Sequence, residues 1–183
     1  MSTILLLAAA LLAAPVAILV LLALRRPAAF RVQRSIHIAA PPERIEPLIS
    51  DLRRFMTWNP FADKGPQQLT YSGPERGAGA ACDFAGSRAA GRGRLAVIDT
   101  APGKVTMRLT MSAPIRCENT IEFLLEPGIG GTGVTWAMLG RSPFIARLMG
   151  LLIDTDRLVG RDLERGLAAL GAQAEAASAA KAA

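Results

Sequence analysis

From Val105 to Met138 the chain alternates apolar and polar residues with a period of two, and no other feature restricts its conformation as much. Val105, Met107, Leu109 and Met111 interleave with Thr106, Arg108, Thr110 and Ser112. Ile115, Cys117, Asn119, Ile121, Phe123 and Leu125 then interleave with Arg116, Glu118, Thr120, Glu122 and Glu126, and Val134, Trp136 and Met138 continue the apolar row. Side chains along a strand point alternately to opposite faces, so this pattern requires an antiparallel sheet with one buried face. Ala113-Pro114 and Pro127 to Gly131 supply the turns between strands. Shorter strands are expected near 68–73, 79–86 and 91–99. Phe30 to Ile38 forms one more, with Val32, Arg34, Ile36 and Ile38 on one side and Arg31, Gln33, Ser35 and His37 on the other.

Helical periodicity brackets this sheet. Ala40-Pro41-Pro42-Glu43 places proline near a first helical position, and Ile45, Leu48 and Ile49 follow at helical spacing, with Pro47 expected to bend the helix. Asp51 is suited to cap a second short helix, which Asn59-Pro60 stops after Trp58. From about Ser142 the residues Ile145, Leu148, Met149, Leu152, Val159, Leu163, Leu167 and Leu170 form one stripe, which predicts a single long helix packed on the sheet. Residues 172–183 are Ala-rich with little to bury, and are expected to fray.

Composition narrows the chemistry. The only histidine is His37, on the polar side of its strand, so multi-histidine metal sites are excluded and a histidine-based triad has no support. Cys82 and Cys117 form no paired motif, and neither a metal nor a cofactor is implied. The net charge of +6 arises after residue 24 and is mostly arginine, yet without the aromatic interleaving of a single-strand binder, so nucleic acid is not an expected partner.

Residues 4–24 carry no charge. At about 1.5 Å rise per residue such a helix crosses the roughly 30 Å hydrocarbon core of a bilayer. A cleaved signal peptide is the competing reading, but Met1-Ser2-Thr3 offers no basic n-region. Arg25, Arg26, Arg31 and Arg34 all follow the run, which predicts a single-pass inner or plasma membrane anchor with the domain on the cytoplasmic side. The division is an anchor at 1–26, one domain of ordinary size at 27–171 and a tail at 172–183.

The order of elements, together with particular segments, resembles the START-like or SRPBCC superfamily of helix-grip proteins over roughly residues 30–171. The segments are Arg34-Ser35-Ile36 leading to Ala40-Pro41-Pro42-Glu43, Asp51-Leu52-Arg53-Arg54-Phe55 with Trp58-Asn59-Pro60-Phe61, Tyr71-Ser72-Gly73-Pro74, Gly131-Thr132-Gly133-Val134-Thr135-Trp136, and Asp154-Thr155-Asp156 to Glu164. The resemblance implies an α+β fold, a seven-stranded antiparallel sheet wrapped around a long C-terminal helix, enclosing a cavity for a hydrophobic or amphipathic small molecule. It carries no catalytic motif, because fold does not determine function.

Candidate cavity residues follow from position and chemistry. Asn119 interrupts an apolar row, where a buried amide either orients a ligand or bonds its neighbours. Asp156 falls on the helical stripe, either aimed at the cavity with a raised pKa or paired with Arg157, Arg161 or a sheet arginine. Trp58, Tyr71 and Trp136 offer wide rings with one polar group each. Met107, Met111, Met138 and Met149 are adaptable liners or ordinary core. Arg76, Arg88, Arg92 and Arg94 give a basic hairpin region that either meets anionic head groups or is simply solvated. A membrane-tethered, non-catalytic binding domain for an apolar or amphipathic ligand, such as a lipid, is the leading expectation. The alternatives are a cyclase or dehydratase in which Asn119 and Asp156 polarise a carbonyl substrate, and an assembly protein whose cavity is filled by side chains.

Overall fold

The computed structural model describes residues 13, 15, 17–62, 65, 67–87, 91–151 and 154–182. Seven antiparallel strands form one sheet: β1 (Ala29–Ile38), β2 (Gln67–Ser72), β3 (Ala81–Gly86), β4 (Arg92–Ala101), β5 (Lys104–Ala113), β6 (Cys117–Gly128) and β7 (Gly131–Arg141). Their order across the sheet is β1-β7-β6-β5-β4-β3-β2, so every strand after β2 pairs with its chain neighbour and β7 closes onto β1. Helices α1 (Pro42–Ser50) and α2 (Leu52–Trp58) carry the chain from one edge strand to the other.

The two short helices form as the sequence dictates. Pro42 opens α1, where its missing N–H leaves no bond unmade, and α1 runs on through Pro47 to Ser50. The Asp51 side chain accepts from the backbone N–H groups of Arg53 and Arg54 at 2.9 and 3.4 Å, capping α2. Ile45, Ile49, Leu52, Phe55 and Trp58 from these helices are buried against Val105, Phe123, Leu125 and Val134 of the sheet. The Trp58 indole N–H donates to Leu48 O at 2.8 Å, which joins the two helices.

The expected single C-terminal helix is two. Helix α3 (Phe144–Met149) follows Pro143 and ends at Gly150, and α4 (Thr155–Ala182) begins afterwards. The apolar stripe therefore does not run continuously onto the sheet: Ile145 and Met149 are exposed, whereas Leu163, Leu167 and Leu170 are buried. Packing continues past 172 among the described residues. Helix α4 continues to Ala182, Ala174 is fully buried, Gln173 bonds Thr57, and a Glu175 carboxylate oxygen accepts from the Ala39 N–H at 2.9 Å.

Two glycines let α4 approach the sheet. At Gly160 a Cβ would collide with the Arg34 guanidinium, which lies across the helix and bonds both Asp156 and Glu164. At Gly166 a Cβ would stand 2.6 Å from Trp136 Cζ3 and 2.8 Å from Pro60 Cδ. Mid-helix glycine costs about 1 kcal/mol relative to alanine, and here close packing explains its presence.

Residues 17–25 are helical. Most of the expected span at 4–24 lies outside the described residues, and among the described residues no helix is long and apolar enough to cross a membrane.

Candidate functional site

The register divides the sheet into two ends. At one, β1 begins, β7 ends, and the β5–β6 turn and the β3–β4 connection lie; at the other are the β4–β5 and β6–β7 turns. The first is called proximal here because residues 26–28 join it to the N-terminal run. The distal half of the buried face is filled by α1, α2 and the C-terminal part of α4. Among the described residues, the proximal half is not filled.

A cavity of about 180 Å³ lies there. Its sheet wall follows four successive cross-strand rows: Trp136, then Ile121 and Met138, then Leu95 and Leu109, then Phe84 and Met111. Phe55, Met56 and Asn59 of α2 and the following turn, with Phe61 and Ala62, form the opposite wall, and Gln67 stands at its edge. The two polar residues are committed to holding that turn. Asn59 Oδ1 accepts from the Phe61 N–H at 3.2 Å, and Gln67 Nε2 donates to Phe61 O and Ala62 O at 3.2 and 3.0 Å. Phe61 is thereby set edge-on to Trp136, with ring centroids 6.4 Å apart.

No titratable side chain lines this cavity among the described residues. The Trp136 indole N–H is itself buried without a hydrogen-bond partner. An unpaired buried donor of this kind costs roughly 1–3 kcal/mol.

Of the predicted site residues, Trp136 and Met138 line the cavity, as does Met111. The others do not. Trp58 and Met107 are core, with Trp58 in an aromatic cluster with Phe55, Phe123 and Trp136. Tyr71 packs outside, under the Arg53 guanidinium at 4.2 Å, and burial beside Cys82 pushes its hydroxyl up from the ordinary phenol value. Met149 is about half exposed on α3. Asn119 is buried, but its amide turns aside: Oδ1 fills the space that Gly140 leaves by lacking a Cβ and finds no donor, while Nδ2 faces Cys117 Sγ at 3.8 Å.

Asp156 is the clearest correction. Its side chain is 60% exposed and pairs with Arg34 Nη2 at 3.0 Å, so a sheet arginine takes it out of the cavity. The same arginine bonds Glu164 at 2.7 Å, and the two carboxylates hold its pKa above the ordinary guanidinium value. Asn119 and Asp156 therefore do not form a site. Among the hairpin arginines, Arg94 is paired with Asp83 at 2.6 Å, whereas Arg88 lies outside the described residues. Both cysteines are free thiols, pushed up chiefly by burial, and no group of three or more His, Cys, Asp or Glu gathers among the described residues.

Sequence reading missed Phe55, Phe61, Phe84 and Leu95 as cavity residues. Phe61 follows the Asn59-Pro60 stop and carried no periodic signal. Phe84 lies on the inner face two residues after Cys82, and Gly93, at a register shift in β4, leaves room for its ring.

Comparison with known proteins agrees with this architecture. Solved structures similar to the chain include protein CV1439 from Chromobacterium violaceum, at 16% identity and TM-score 0.58, covering 82% of this chain and 99% of that one. A Thermus thermophilus protein matches at 19% identity and TM-score 0.56, covering 81% and 99%. Norcoclaurine synthase from Thalictrum flavum, solved with dopamine and hydroxybenzaldehyde, matches at 12% identity and TM-score 0.58, covering 79% and 86%. At such identities these likenesses speak to the fold alone. No curated protein matches the chain. The family model for polyketide cyclase / dehydrase and lipid transport matches residues 29–175, the whole sheet and most of α4, and the chain belongs to that family, with its Bet v 1-like, START-like fold.

Proposed function

We propose that this chain is a membrane-tethered binding domain for an amphipathic small molecule, whose apolar part enters the proximal cavity while its polar part stays at the mouth. The observation that carries this reading is the cavity itself, walled by apolar side chains and lacking titratable groups among the described residues. Its volume of about 180 Å³ is close to that of an engineered cavity of about 150 Å³ that takes benzene. A single ring or a short acyl segment fits, and a whole lipid does not, so a larger ligand extends outward. The uncharged run at 4–24 supplies the tether, with Arg25 and Arg26 favouring a cytoplasmic domain. Proton-transfer chemistry by Asn119 and Asp156 loses its basis, because Asp156 is outside the cavity and neutralised by Arg34.

The test is native mass spectrometry of detergent-extracted protein, followed by extraction of the bound compound. The wild type retains an apolar or amphipathic adduct, and Leu109→Trp, which fills the cavity from its sheet wall, loses it while remaining folded. A ligand at 100 times its Kd should add about 2.7 kcal/mol of stability. Absence of any adduct, together with no thermal stabilisation across lipid and polyketide panels, would sink the reading.

A further inference from the structure

The proximal end carries exposed apolar residues that the cavity does not use. Phe144, Ile145 and Met149 project from α3, Leu158 from the first turns of α4, and Ile115 from the β5–β6 turn. Helix α3 follows the end of β7 and the β5–β6 turn lies at that same end of the sheet, where β1 begins, while α4 starts beside Arg34 and runs toward Ala39. Chance scatter of apolar residues needs no explanation, but this clustering at one end does.

Charge at the same end has a single dominant sign. Arg25 and Arg26 precede β1, Arg92 opens β4, Arg116 adjoins Ile115, and Arg141 closes β7; all are exposed. None of them makes an ion pair among the described residues, in contrast to Arg34, Arg94 and Arg108 farther along the strands. A surface of apolar side chains ringed by unpaired arginines complements the interface of an anionic bilayer, in which apolar groups enter the acyl boundary and cations meet phosphates.

The connection leaves little freedom of placement. Residues 26–28 alone separate the helical segment 17–25 from β1. Three residues span at most about 10 Å. The joint is also held: the Ser142 N–H donates to Ala28 O at 2.7 Å, and the Arg26 guanidinium lies against Gly150 at the end of α3. A domain attached this closely to a membrane-inserted run has its α3 face at the interface.

We infer that α3, the start of α4 and the β5–β6 turn form a membrane-docking face that seats the cavity end of the domain on an anionic lipid bilayer. This rests on the tether proposed above, and not on the identity of the cavity ligand. Docking places the unfilled half of the sheet toward the lipid and the filled half toward the aqueous phase.

The test uses the full chain reconstituted in vesicles of phosphatidylcholine with or without phosphatidylglycerol. An environment-sensitive fluorophore is attached at Ile145→Cys or Ile115→Cys, with Ile129→Cys at the fully exposed distal turn as reference, each on a Cys82→Ala/Cys117→Ala background. Docking predicts a blue-shifted probe at 145 and 115, quenched several-fold more by a doxyl lipid than the probe at 129, with the contrast shrinking when phosphatidylglycerol is omitted. Arg116→Glu/Arg141→Glu should shrink it similarly, with the melting profile checking the fold.

Equal iodide quenching at all three positions in vesicle-bound protein overturns docking and leaves the tether standing. Failure to float with vesicles overturns both. Shielding at 145 that ignores the doxyl lipid but rises with protein density assigns the face to a second copy of the chain and overturns the lipid proposal.

Discussion

Gly166 and Gly171 stand on the same helix and predict opposite responses to the same substitution. Alanine is favoured over glycine in a helix interior by about 1 kcal/mol. At Gly171 a Cβ meets Ile38 Cγ1 at 3.6 Å, ordinary contact, so Gly171→Ala should stabilise by about 0.5–1 kcal/mol. At Gly166 the obstacles are an indole and a proline ring, neither of which can yield by rotating a flexible end. Overpacking costs about 1–3 kcal/mol, which outweighs the propensity gain, so Gly166→Ala should destabilise. Urea denaturation of both variants checks the pair, and a stabilised Gly166→Ala would mean that α4 can move away from Trp136. The same scale shows where residue-level reading reaches its limit. Trp136 and Met138 were legible because a strand's period fixes the face on which a side chain lies. Asp156 and Asn119 were not, because their destinations depend on Arg34 and Gly140, remote in sequence and brought close only by the register.

At the level of elements, α4 is held at two separate places by different means. Its C-terminal part buries Leu163, Leu167, Leu170 and Ala174 in the core, whereas its beginning is held to β1 through Arg34. Arg34→Met should therefore leave global stability nearly intact but raise amide exchange over residues 156–164, with 167–174 still protected. Hydrogen exchange followed by mass spectrometry reads this directly, and uniform protection along α4 would show that the clamp is redundant. The strands and α1 and α2 were evident from periodicity and capping, down to Asp51 at the N-terminus of α2. The separation of α3 from α4 was not, since an apolar stripe specifies a face and says little about whether the backbone between two turns remains helical. Gly150 ends α3 where the pattern taken alone continues.

Across the whole molecule, titration should weaken the fold on the alkaline side. Burial pushes Cys82, Cys117 and Tyr71 up from their ordinary values. A group whose folded pKa exceeds its unfolded value contributes stability that is complete below the unfolded pKa and is lost as pH rises. For the thiols the ordinary value is 9.0, so the urea midpoint should hold through neutral pH and decline above that point. Cys82→Ala/Cys117→Ala should flatten part of the decline, and a midpoint that rises on alkalinisation would reverse the assignment. The fold itself was readable at this scale because element order and period are sequence properties. The cavity's size and position were not, since they depend on which half of the buried face the helices leave uncovered.

Under the proposed tether, the three-residue connection at 26–28 would limit transport as well as orientation. A soluble carrier ferries cargo by leaving one membrane and diffusing to another. A domain tethered as proposed, on a leash of only about 10 Å, would have no such journey available. On that proposal cargo would leave it either by re-entering the same leaflet or by direct hand-over to a visiting acceptor, and its role would be that of a fixed station at which molecules are held, presented or exchanged.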